Sequence, residues 1–387
     1  MNNNDCYDIV IVGSGIVGLT FANIMAQNTT LKIALVSDDE PSMRIDNGRV
    51  CALNHASLKL LKKLQLASFS YSYYDKVFVW QAGGIGSLAF DASEFGYNDL
   101  GAIVNNLVLE DALWQKAKEH VNVTLFCGHE AKSLSRGQAY ELLLTSGRKI
   151  SAGLLVGADG ASSWTRKALN ITSSTENYDQ EAIVTTISAA KGHNNTAWQK
   201  FVATGTIALL PLQDLNTLSL VWSCRTDIAR ELMALSEHDF TKKLSRESDY
   251  KCGDIKLVSR RSSFPLKAMQ SNSYIGANAA IIGDAAHVVH PLAGQGVNYG
   301  LLDAATLANE LLAEVEFANI QVALANYEKI RRGQNGIDLW LLGQIKKSFT
   351  ADSSLVSGIL GFGLKAINSS TVIKKHLLAK ALGLGKL

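Results

Sequence analysis

Asp284, His287 and His290 stand among four glycines in the stretch AIIGDAAHVVHPLAGQGVNYGLLDA, residues 280–304. The apolar run just before, residues 279–282, reads as a buried strand, so Gly283 and Asp284 fall at its carboxyl end. In open α/β sheets that end is where ligands bind. A carboxylate there accepts hydrogen bonds from sugar or ribityl hydroxyls, and Gly283 keeps the approach clear. Val297, Leu301, Ala304, Ala308 and Leu311 recur at helical spacing, which predicts a helix starting near Gln295 or Gly296. Its first N–H groups, flanked by Gly294 and Gly296, have no capping acid and need an acceptor from elsewhere. A flat ring whose edge turns negative on reduction, such as a flavin, fits them. A helix N-terminus favours such charge by about 0.3–2 kcal/mol. His287 and His290 are three apart, but no carboxylate or cysteine joins them in a metal-binding pattern. They read as wall or core residues.

A second glycine cluster lies at the N-terminus. The run YDIVIV (7–12) reads as a buried parallel strand, GSGIVG (13–18) as a turn, LTFANIMAQ as a helix and KIALV (32–36) as the next strand. This is a β-α-β unit with G-x-G-x-x-G at its first turn, the arrangement that binds dinucleotides. Gly13 makes the tight turn, Gly15 lets backbone approach a pyrophosphate, and Gly18 lets helix and strand pack. Ser14 lies in the same loop. The acid that usually meets the adenosine ribose is replaced by Ser37, with Asp38, Asp39 and Glu40 directly after it. Ser37 through its hydroxyl, or Asp38 one step later, is the expected substitute.

Two further stretches bear polar residues. Arg49 precedes GRVCALNHASLKLLKKLQL's helical leucines 58, 61 and 64, where a guanidinium reaches a phosphate or flavin edge, or simply makes a surface ion pair. In GADGASSWTR (157–166), an apolar strand ends at Asp159 and a helix begins with a serine at its N-cap. Read alone, Asp159 is equally a ligand contact and part of a capped turn.

The elements that must position these residues follow. VFVWQAGGIGSLAFDA reads as a β-hairpin, not a second nucleotide loop, because no helix follows its glycines. Residues 107–119 read as an amphipathic helix, and VNVTLF and YELLLTSG as strands, with Ala131 between them placed in the cofactor-binding set. From 177 to 274 the texture turns β-rich, before the chain returns at residue 279. The expected fold is α/β: a Rossmann-like FAD-binding domain with an inserted antiparallel β-sheet substrate domain and a C-terminal helical region. Its expected parts are residues 1–70, 99–176 and 275–345 for the first, 71–98 and 177–274 for the second, and 346–387 for the tail.

Composition narrows the classes. With 387 residues the chain is long enough for two lobes. A net charge of +2 gives no footprint for nucleic acid. The start MNNNDCYD is unlike a signal peptide, and five scattered cysteines without C-x-x-C fit a reducing cytoplasm. No apolar run approaches the roughly 18–20 residues that span a bilayer.

Three motifs thus occur in one order: GSGIVG, GADGASSWTR and GDAAHVVHPLAGQGVNYGLLDA. Together they resemble the single-component FAD monooxygenases similar to p-hydroxybenzoate hydroxylase. GRVCALNHAS, LGAIVNNLVLEDALW, the FPL before the third motif and NYEKIRRGQN (326–335) bring the resemblance closest to ubiquinone-biosynthesis hydroxylases. The resemblance implies FAD as cofactor, with Gly13, Gly15 and Gly18 at its pyrophosphate, Arg49 at the phosphate or flavin, and Asp284 at the ribityl chain. Pro291 and the backbone of Gly294, Gln295, Gly296, Val297 and Asn298 would line the isoalloxazine. Asp159 would serve FAD and a transient NAD(P)H. Ser37 and the pair Asn105-Asn106 depart from the family pattern.

The implied reaction is hydroxylation of an electron-rich ring by O2 through a flavin C4a-hydroperoxide. The expected substrate is a polyprenylated phenol in ubiquinone biosynthesis, and the sequence singles out no catalytic base. The alternatives are a hydroxylase of a small soluble phenolic acid, an FAD-dependent reductase, or a low-turnover flavin-bound assembly subunit. Residues 345–387 carry seven lysines and one acid around LVSGILGFGL. That pattern predicts a basic amphipathic tail that meets anionic lipid at the inner membrane face, another quinone-biosynthesis subunit or a second copy of the chain.

Overall fold

The computed structural model describes residues 4–67, 69–83, 86–289, 296–314, 319–349 and 370–383, with side chains excluded for 336–349 and for 371, 372 and 380. His290, Pro291, Gly294 and Gln295 lie outside the described residues.

The chain opens with strand β1 (Asn4–Val12), helix α1 (Ile16–Asn28) and strand β2 (Ile33–Ser37). All five residues of β2 are buried, which is why its sequence is a continuous apolar run instead of alternating. β1 sits at the centre of a sheet whose inner strands run parallel, with antiparallel strands added at Tyr140–Leu144, Ala131–Arg136 and Ile275–Gly276. On one side it pairs with β2, which pairs with Val123–Cys127. On the other it pairs with Lys149–Gly157, which pairs with Ala279–Ile281. The third motif therefore returns to the first sheet as expected. Helices α1, Asn106–Glu119 and Gly296–Ala313 cover one face in a core that includes Leu19, Trp114 and Leu301. Residues such as Phe126, Tyr140 and Leu142 pack the other face.

The second sheet runs His287–Val288, Ser262–Ser271, Ser173–Ala189, Thr217–Arg225, Gly205–Pro211, Thr196–Val202, Lys76–Gln81, Ser87–Asp91. Its pairings are antiparallel except for Thr196–Val202 with Lys76–Gln81, which is parallel. The inserted antiparallel sheet that the sequence predicts is thus present, with this one parallel pair added. The parallel pair arises because the early hairpin is added from a distant part of the chain. That hairpin, Lys76–Gln81 with Ser87–Asp91, forms as the glycine cluster suggested. Period-2 alternation sorts this sheet. Ile183, Ile207, Leu220 and Trp222 face helices Thr226–Ala234 and Glu237–Glu247, while Ala182, Val184 and Val221 face the other way.

The last helix, Thr371–Ala381, packs back onto its own chain. Leu378 and Leu382 bury against Ala92 and Leu100, and Lys374 pairs with Glu94 at 2.9 Å. The backbone N–H of Ala56 donates to Leu382 O. The sequence suggested a tail engaged by lipid or a partner; intramolecular docking of this helix was not foreseen, because a buried and a membrane-facing amphipathic helix share one pattern. Among the described residues, no helix is long and apolar enough to cross a membrane.

Candidate active site

The glycine-rich loop is built by close contact. Gly13 has φ +108°, and a Cβ there would run into the carbonyl of Ala158 at the end of the neighbouring strand. A Cβ on Gly18 would strike Gly13 O. The strand ends are stitched together by Gly13 N–H to Val36 O (2.9 Å) and Ala158 N–H to Val12 O (2.7 Å). Gly15 behaves differently: a Cβ there would meet nothing within 4 Å. Gly15 also stands at the N-cap of α1 with no side-chain cap. A helix N-terminus that opens onto free space beside uncapped N–H groups is a phosphate site.

At the end of β2 the chain departs from the usual acid. Ser37 Oγ lies 2.5 Å from Ser14 Oγ and donates to Asp39 O at 2.6 Å. Arg44 reaches over the loop and donates to Ser14 Oγ (2.7 Å), Asp39 (3.1 Å) and Glu110 (2.9 Å). Asp38 is exposed and Ala131 opens the strand Ala131–Arg136 beyond this end of the sheet. Sequence reading missed Arg44 and Glu110; an arginine soon after a missing acid was the available signal.

Asp159 is engaged by its own turn. It accepts from Ser163 Oγ (2.5 Å), Thr165 N (2.8 Å) and Thr165 Oγ1 (3.0 Å), while Ser163 caps the helix by accepting from Arg166 N. Buried Arg166 donates to Ala285 O at 2.8 Å and Ala161 O at 2.9 Å, tying the second motif to the third.

Asp284 lies at the floor of a cleft, with many protein atoms around it but its surface open to the cleft. Burial pushes its carboxyl above the ordinary value, with His287 and Arg49 pulling the other way. Behind it, Asp303 is wholly buried and organises the motif. It accepts from Gly283 N (3.0 Å), His287 Nε2 (2.6 Å) and Arg331 Nε (2.7 Å). Burial alone would raise its pKa, but His287 and Arg331 overcome that and hold it down to about 2. His287 is thus a core partner of a carboxylate. A charged residue on the apolar face of Gly296–Ala313 was the signal for Asp303, and its partner 28 residues on was not legible.

Gly296 and Val297 open that helix at the cleft. Asn298 is buried and faces away: its amide donates to Ala52 O (2.8 Å) and accepts from Ser57 Oγ (2.7 Å) and Asn54 N (3.1 Å). Arg49 is exposed into the cleft with its guanidinium 5.4 Å from the Phe264 ring centre. Asn106 also borders it, and its buried Oδ1 has no hydrogen-bond partner. The cleft holds a cavity of about 380 Å³ whose sheet wall is Ala182, Val184, Val221, Phe264 and Leu266. Cys51 also lines it, with its thiol pushed up to about 12 by burial, so it stays protonated.

Open phosphate-binding backbone, an orphaned amide oxygen, a cleft carboxylate and one arginine fit a dinucleotide with a flat ring. Fold and site together define an FAD flavoprotein. The comparisons agree. The family described as FAD binding domain matches residues 6–334. The ubiquinone biosynthesis monooxygenase COQ6 of Drosophila melanogaster is 33% identical over 79% of this chain and 74% of its own length. The 3-demethoxyubiquinol 3-hydroxylase of Escherichia coli is 31% identical over 98% of this chain and 100% of its own. Among solved structures, Pseudomonas aeruginosa PqsL in complex with 2-aminobenzoylacetate superposes with a TM-score of 0.80 at 22% identity, covering 92% of this chain and 100% of PqsL. The chain belongs to the FAD-binding family these proteins represent, and it is an FAD-dependent monooxygenase.

Proposed function

We propose that the chain hydroxylates the aromatic ring of a polyprenylated phenol in ubiquinone biosynthesis, using O2 and NAD(P)H. The likeness to a ubiquinone biosynthesis monooxygenase over 79% of the chain, and to a 3-demethoxyubiquinol 3-hydroxylase over 98% of it, supports the pathway. The observation that carries the substrate class is the sheet wall of the cavity, which is apolar at Ala182, Val184, Val221, Phe264 and Leu266. An uncharged ring with an apolar tail can lie against that wall without burying a charge. A benzoate carboxylate would instead have to turn toward Arg49 or Lys267, the cations that also line the cavity.

In this reading residues 1–70, 99–176 and 275–345 hold FAD, and 71–98 with 177–274 present the substrate. Gly13, Ser14, Gly15 and Gly18 hold the pyrophosphate through backbone N–H groups. Asp284 takes ribityl hydroxyls, Arg49 the phosphate side, and the first amides of Gly296–Ala313 the ring edge. The bound flavin supplies the oxygen activation; the protein binds and orients the ring and excludes water. In this reading the membrane contact that a prenylated substrate calls for is assigned to the C-terminal segment around LVSGILGFGL (355–364), which lies outside the described residues. Lys374 takes no part in it, being paired with Glu94.

Purified protein supplied with NAD(P)H should consume O2 faster with a short-chain prenylated phenol than with 4-hydroxybenzoate. Equal or reversed stimulation would remove the prenylated substrate. Loss of residues 353–387 should reduce membrane fractionation, and unchanged fractionation would remove the tail contact.

A further inference from the structure

We infer that Glu110, held in place by Arg44, accepts a hydrogen bond from the adenosine ribose of FAD in place of the acid that the end of β2 lacks. The inference rests on the placement of FAD given above.

The position is fixed by topology. In a β-α-β dinucleotide unit the ribose hydroxyls lie beside the end of the second strand and need an acceptor there. Ser37 occupies that end, but its hydroxyl is buried and already bonded to Ser14 and Asp39 O, out of reach of a ligand. Guanidinium only donates and a carbonyl only accepts, so the direction of each bond is settled. Arg44 donates to Ser14 Oγ, Ser14 donates to Ser37 Oγ, and Ser37 donates to Asp39 O. Both serines are about 2% exposed. They form a buried relay that holds Arg44 over the glycine loop.

Arg44 in turn gathers two carboxylates, Asp39 at 3.1 Å and Glu110 at 2.9 Å. One cation and two anions leave a net charge of −1, the charge the missing acid would have brought. A cation-rich end suited to a phosphate is therefore not what this site offers. Of the two carboxylates, Glu110 is the better acceptor. Its side chain is 16% exposed against 46% for Asp39, so a hydrogen bond to it competes less with water. Arg44 engages Glu110 Oε2, leaving Oε1 for the ribose. Glu110 lies on the helix Asn106–Glu119, one turn beyond Asn106, whose unpartnered Oδ1 borders the cleft. Arg44 is a positioning residue in this scheme.

Protein stripped of flavin is titrated with FAD and with an FAD analogue whose adenosine lacks both ribose hydroxyls, following flavin fluorescence. The unaltered protein should prefer FAD by about tenfold or more, as befits one hydrogen bond to a charged acceptor. Glu110→Ala should bring FAD down to the analogue's affinity and leave the analogue unchanged. Arg44→Ala should shrink the preference with Glu110 still present. A Glu110→Ala protein that still discriminates would overturn the assignment, and so would equal losses for both ligands, the mark of a merely structural role. An unaltered protein that binds both ligands alike overturns ribose recognition altogether. Failure to bind either ligand is different, because it would remove the placement of FAD itself.

Discussion

Asp303, near the end of the third motif, ties three parts of the site together. Its carboxylate holds the Gly283 amide, the His287 ring and the Arg331 guanidinium at once. Asp303→Asn keeps the shape and removes the charge, leaving Arg331 buried and unpaired. It should cost about 3–5 kcal/mol in urea unfolding, as for other broken buried pairs; a loss under about 1 kcal/mol would contradict the role. The pH dependence has a definite sign. Asp303 is held down to about 2 in the folded protein, against about 3.9 when unfolded. Its contribution is therefore complete above about pH 4 and is lost as pH falls toward 2. Asp303→Asn should remove that acid limb from the stability profile. Asp284 and the glycines can be assigned roles from neighbours a few residues away. Asp303 and Arg44 leave only a hint in the sequence, and their partners Arg331 and Glu110 leave none, because only the fold brings them together.

At the scale of elements, the glycine loop and the strand and helix at either end of the third motif fall where the sequence puts them, and residues 290–295 between those two lie outside the described residues. Gly18→Ala should loosen α1 from the loop, where its Cβ would strike Gly13 O, and should reduce the FAD retained after gel filtration; full retention would contradict the close packing. The last helix is the element the sequence described least well. Its basic, apolar pattern suits a membrane surface, yet Leu378 and Leu382 face Ala92 and Leu100. The covered faces of two elements decide between these outcomes, and pattern alone reports only one of them. Deleting residues 370–387 should speed amide exchange at Ala56, whose N–H donates to Leu382 O. Unchanged exchange there would show that the docking is not maintained in solution.

For the whole molecule, two sheets meet at a cleft through the third motif. Its Ala279–Ile281 strand belongs to the parallel sheet, and His287–Val288 joins the second by pairing with Met269 and Gln270. One continuous stretch thus joins the sheet that carries the glycine loop to the sheet that walls the cleft. The sequence signalled both lobes by a change of texture, but not that the third motif bridges them, because a two-residue strand carries no periodicity. The central claim is that this cleft passes one oxygen atom from O2 to an aromatic ring. The direct measurement uses purified yellow protein, NAD(P)H, a short-chain prenylated phenol and ¹⁸O₂, with mass spectrometry of the product. The account predicts a hydroxylated ring carrying one ¹⁸O atom. NAD(P)H oxidation that yields only hydrogen peroxide, or a product labelled from water, would contradict it.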